Sequence, residues 1–226
     1  MAFSDAFARS SRAGGEADPE LLAACERLAA RGWSDVVPDA VRTAPPAAAQ
    51  HRRAAGIANA FLAADRLLGD IAAPADPEVV RGRITGGLVL IEQCFDDLGG
   101  WAALVLERSG RHRNEPVGSS KFNARLRLLD PVAAERVVAL AGWVAAVRLT
   151  AAALLQQQVK TLRFDAGDVR LQIPRAAGTG AGEHPVSDLG PAWTANLAEL
   201  IGAVFACGAA RLENPRERTA ADFDWD

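Results

Sequence analysis

Glu92, Asp96 and Asp97 stand close together in one apolar-periodic run, and Asp65 and Asp70 stand in the run before it. Helical bundles build metal and phosphate sites from acids that face inward on neighbouring helices. Two such sets facing each other would hold a magnesium ion and act on a phosphate ester. The helical phase argues against most of them. At about 100° per residue, Arg81, Thr85, Glu92, Asp96 and Glu107 share one stripe opposite much of the apolar content, the arrangement of a solvated face. Asp70 shares an outer face with Arg52, Asn59 and Arg66. Asp65 and Asp97 are left as boundary residues, and they alone carry the carboxylate–metal alternative.

A second chemistry is written in "RSGRHRNEPVGSSKFNARLR", residues 108–127, where Arg108, Arg111, Arg113, Lys121, Arg125 and Arg127 surround one acid, Glu115. A helix dipole stabilises cations at its C-terminus by about 0.3–1 kcal/mol each. That accounts for Arg108 and Arg111, with Gly110 as the stop signal. It does not account for Arg113, Lys121, Arg125 and Arg127. The last three fall in "SSKFNARLRLL", which reads as a short helix capped by Ser119 or Ser120 with Phe122, Leu126 and Leu129 turned inward. Arg111, Arg113, Lys121, Arg125 and Arg127 are therefore the candidate contacts to nucleic-acid phosphates or an acidic protein surface. Phe122 is the only aromatic among them and belongs to the inner face, so base stacking is not supported.

Arg108 followed by His112 also resembles the arginine–histidine signature of the all-helical HEPN ribonucleases. The separation here is shorter than that signature's, and no family is assigned on it. What the resemblance implies is a runner-up catalytic pair, Arg108 and His112, for acid–base work on RNA. Other constellations are weaker. His51, His112 and His184 lie near helix ends or in loops, with no second histidine at ligand spacing. Cys25, Cys94 and Cys207 each sit in an apolar helical pattern, as reduced core thiols do. Ser119 and Ser120 follow Gly118 without a Gly-x-Ser-x-Gly elbow. No metal or cofactor is expected, and an enzyme is the less favoured class.

The elements that position these residues are mostly helices. Residues 1–17 read as a flexible N-terminal arm. Asp18-Pro19, Asp76-Pro77 and Asp130-Pro131 each repeat a helix start, aspartate as cap and proline at the first helical position. The first helix carries Leu21, Leu22, Cys25 and Leu28 and ends at Gly32; "WSDVVPDAVRTAPP" then reads as a loop. A second helix spans about 46–72. The start at Asp76-Pro77 opens a region whose glycine pairs, Gly86-Gly87 and Gly99-Gly100, mark kinks or close helix approaches and divide it into two helices. Asp130-Pro131 opens residues 132–162, whose middle is apolar nearly all round and which are expected to form the central, most buried helix. "LRFDAGDVRLQI" reads as a hairpin, "PRAAGTGAGEHPVSD" as a connector, and 191–212 as the last helix. The acidic aromatic tail, 214–226, holds "DFDWD", whose Phe223 and Trp225 are candidate docking residues.

With 226 residues, the chain suits one domain with a real core. A net charge of -3 argues against a general polyanion binder, so any nucleic-acid contact must be local. Half of the composition is hydrophobic, at 50%, which excludes wholesale disorder. No signal-like run or uninterrupted membrane span is read, so the expected compartment is the cytoplasm. The expected architecture is all-α for the most part. It is a single bundle of about five or six helices over 18–213, with a small β-hairpin insertion near 161–173. The expected function is non-catalytic binding or assembly through 108–127; the alternative is a helical-bundle enzyme acting on RNA or a phosphate ester. Five tryptophans without a tyrosine make self-association a further expectation.

Overall fold

The computed structural model describes residues 18–43, 48–69, 71, 76–106, 115–156, 162–165, 168–173 and 182–213. The arm 1–17 and the tail 214–226 lie outside the described residues. The architecture is mostly helical with a small antiparallel sheet, as the patterning predicts.

Helix α1, Pro19–Ala30, starts as its sequence dictates: Asp18 accepts hydrogen bonds from the N–H groups of Glu20 at 2.9 Å and Leu21 at 3.3 Å. Its end is a Schellman turn. Gly32 adopts φ 81°, and Trp33 and Gly32 donate to the carbonyls of Leu28 and Ala29 at 2.9 and 3.0 Å. The stretch expected as a loop contains a one-turn helix, α2, Asp39–Arg42, because Val36, Val37 and Val41 bury their side chains there.

Helix α3, Ala48–Gly69, packs antiparallel along α4, Pro77–Leu106, in the most extensive contact of the fold. The expected division of α4 does not occur: its thirty residues are continuous. The glycine pairs are close-approach sites instead. A Cβ on Gly87 would stand 2.7 Å from Leu68 Cδ2, and one on Gly100 would overlap the Arg53 guanidinium. Asp76 caps α4 by accepting from Glu78 N–H at 2.8 Å.

Helices α5, Ser120–Leu129, α6, Pro131–Ala139, and α7, Ala141–Leu155, follow. The single central helix expected from Pro131 onward is therefore two, separated at Leu140. Nor is it the most buried. Of the most apolar window in 131–155, 44% is buried, against 61% for that in 186–209, and Leu149 and Leu155 face outward. Both segments are long and apolar enough to cross a membrane by length and composition, which the sequence reading did not anticipate.

Strands β1, Leu162–Asp165, and β2, Asp168–Ile173, form the predicted hairpin, with Leu162 opposite Leu171. A third strand, β3, Gly182–Pro185, pairs with the other edge of β2. It falls within the stretch read as a connector. Its pairing comes from β2, not from any apolar alternation of its own. Helix α8, Val186–Glu213, begins earlier than the expected Pro191. Proline lacks an N–H, yet the turn before it is retained. Val186 and Gly190 are buried, and Thr194 Oγ1 donates to the carbonyls of Gly190 and Pro191, both at 3.1 Å.

Helices α3, α4 and α8 enclose the core with edge-to-face aromatic joints. Trp101 meets Phe205 at 4.6 Å between ring centroids, Phe95 meets Trp143 at 5.5 Å, and Trp33 meets Phe61 at 5.3 Å. Trp101, Trp143 and Trp193 are core residues rather than surface anchors.

Candidate functional site

Helix α5 is set by its cap and its apolar side. Gly118, at φ 82°, turns the chain, and Ser119 Oγ then accepts from Phe122 N–H at 3.2 Å, so Ser119 rather than Ser120 is the cap. Phe122 and Leu126 are buried and Leu129 packs at the core edge. This phase leaves Lys121 exposed and Arg125 half-buried, one turn apart along the same edge. Arg127 turns to another side, where its Nε donates to Glu135 Oε1 on α6 at 3.0 Å. Arg127 thus has a structural partner that the sequence did not indicate, and Arg125 also interacts within the fold. Arg108, Arg111, His112 and Arg113 lie outside the described residues, as do Phe223 and Trp225.

The chain re-enters the described fold at Glu115, whose carbonyl oxygen stands 2.8 Å from where a Gly99 Cβ would be. That close approach places the N-terminal approach to α5 against α4.

The boundary carboxylates separate. Asp65 is buried, and its Oδ2 accepts from Arg31 Nε at 2.6 Å across α1 and α3. Asp97 projects from α4 toward Gly56, whose Cβ position would be 4.0 Å from its Oδ2. Gly56 and Asp65 are nine residues apart on α3, a separation of about 14 Å along a helix rising 1.5 Å per residue. The two acids therefore stand at different levels, each beside its own arginine. Burial raises the Asp97 carboxyl above its ordinary value, while Arg53 and a hydrogen bond from Gln93 pull it down and Asp96 pushes it up. Glu92 is raised by burial as well, opposed by Arg148 and assisted by Asp96. Asp96 itself is exposed. Among the described residues no three histidine, cysteine or acidic side chains gather closely enough to hold a metal ion.

All three cysteines are free and buried. Burial raises each thiol, Cys207 to about 12, and the Cys94 thiol lies 3.7 Å from the Ile57 carbonyl oxygen. They stay protonated at neutral pH, which is the opposite of an activated nucleophile. His51 is buried in the first turn of α3, with neither ring nitrogen hydrogen-bonded.

Two arginines escaped the sequence reading. Arg53 fills the space over Gly100 and acts on Asp97. Arg148 acts on Glu92 and lies 5.7 Å from the centre of the Phe95 ring. The glycine pair was the one visible signal for Arg53, but its partner depends on the register between α3 and α4. Comparison with protein families, curated proteins and solved structures gives no match.

Proposed function

We propose that the chain is a non-catalytic binding or assembly protein whose basic segment, 108–127, contacts the phosphates of a nucleic acid or an acidic protein surface. The observation that supports this reading is the edge of α5. Lys121 is exposed one turn from Arg125, while the apolar residues of the same helix are committed to the core. Arg111 and Arg113 join these two by sequence proximity. Arg127 contributes less, because its guanidinium is engaged by Glu135. With an overall charge of -3, contact with a polyanion has to be local and steeply salt-dependent. The carboxylate–metal alternative at Asp65 and Asp97 is weaker, since the two acids stand at different levels of α3 and each has an arginine beside it.

The test is charge reversal. Arg111→Glu, Arg113→Glu and Lys121→Glu together should abolish salt-dependent binding to duplex DNA or RNA, or retention by an acidic protein surface. Thermal stability should be nearly unchanged. Binding that persists unaltered would show the reading to be wrong. A magnesium-dependent rise in melting temperature that disappears in Asp97→Ala would favour the enzyme alternative instead.

A further inference from the structure

A cleft of about 450 Å³ opens between α1 and α3, away from α5, and is lined by Arg27, Ala30, Arg31, Asn59, Leu62, Ala63 and Arg66. Helical spacing makes it. Arg27 and Arg31 are four apart at the end of α1, and Asn59, Leu62, Ala63 and Arg66 follow the i, i+3, i+4, i+7 stripe of α3. Two of the arginines are held in place. Arg27 Nη2 donates to Asn59 Oδ1 at 2.8 Å, and Arg31 Nε donates to Asp65 Oδ2 at 2.6 Å. Each guanidinium carries several N–H donors in a fixed fork, so one bond anchors it and leaves others for a ligand. Arg66 is exposed and makes no hydrogen bond or ion pair with any described residue.

All three arginines stand at helix C-termini, Arg27 and Arg31 at the end of α1 and Arg66 in the last turn of α3, so helix-end electrostatics accounts for each singly but not for their convergence on one cleft. Among the described residues Asp65 pairs with Arg31, and guanidinium groups gathered around one concavity repel each other until an anion enters. The end carbonyls of α1 would oppose an anion, but those of Leu28 and Ala29 are occupied by the N–H groups of Trp33 and Gly32.

We infer that this cleft binds the phosphoryl group of a small phosphate ester. A carboxylate presents two coplanar oxygens and is satisfied by a single fork. A phosphate monoester presents three terminal oxygens pointing in different directions, which suits arginines arriving from two helices. Leu62, Ala30 and Ala63 supply apolar wall for the organic part of the ester. The site shares no residue with the 108–127 segment and is independent of that proposal.

Phenyl phosphate is the probe, titrated calorimetrically against the full chain beside inorganic phosphate and benzoate. Saturable binding is expected, tighter for phenyl phosphate than for either comparison. Arg66→Gln should weaken it at least about tenfold, the loss expected when one charge-assisted contact is removed. The melting temperature of the free protein should not change. Lys121→Gln, on α5, should bind as the unaltered protein does. If Arg66→Gln lowers the melting temperature, Arg27→Gln takes its place with the same expected loss. The inference is overturned by any of three results: no saturable binding, benzoate or inorganic phosphate binding as tightly as phenyl phosphate, or Lys121→Gln losing as much as the cleft variant.

Discussion

Asp97 stands half-buried between α3 and α4, and removal from water is the largest influence on its carboxyl. Its folded value lies above the ordinary 3.8, so the native state holds the proton more tightly than the unfolded chain does. The stabilising contribution is then fully present below that ordinary value and is lost as pH rises through the raised folded value. Asp97→Asn removes this dependence. The variant should gain melting temperature relative to the unaltered protein between about pH 3.5 and pH 7, measured by thermal denaturation at each pH. A difference that is flat or runs the other way would mean that Arg53 outweighs the burial. Such single-residue environments were the least legible feature of the sequence. Asp65 and Asp97 could be placed at the boundary of their helices from phase alone. Which arginine answers each depended on residues brought close by packing, Arg31 from α1 and Arg53 from α3.

The helix starts lie at the other extreme. Asp18, Asp76 and Asp130 cap their helices through side-chain oxygens bonded to N–H groups two or three residues on. This is local chemistry, complete within four residues, and the Asp-Pro pairs announced it. Glycines in α4 were harder to read, because the same residue weakens an exposed helix and permits a close approach in a buried one. The structure separates the two cases. Gly82 is exposed, with open space where a Cβ would go, whereas Gly87 is buried with Leu68 Cγ 2.8 Å from that position. Gly82→Ala should therefore stabilise the fold by up to about 1 kcal/mol. Gly87→Ala should destabilise it by about 1–3 kcal/mol through overpacking. Chemical denaturation of both variants checks the contrast, and equal signs would contradict the interface described between α3 and α4.

At the scale of the molecule, α8 packs on α3, α4 and α6 and also touches the sheet, so it ties the layers together. Trp101 sits at its joint with α4, 1% exposed and edge-on to Phe205. Trp101→Ala should cost about 3–5 kcal/mol, the range for removing a large buried aromatic, and should lower the unfolding midpoint of the whole domain; a small shift would place the centre of the core elsewhere. The mostly helical class, the hairpin and most helix positions were determined by the sequence itself, because caps and apolar periodicity act within a few residues. Only the tertiary structure decided that α4 is continuous, that β3 pairs with β2, and that α8 is buried more deeply than the more apolar 131–155. Each of those depends on what a distant segment covers. The same reason divides the basic segment: its composition was plain, but the pairing of Arg127 with Glu135 and the exposure of Lys121 were set by how α5 meets α6.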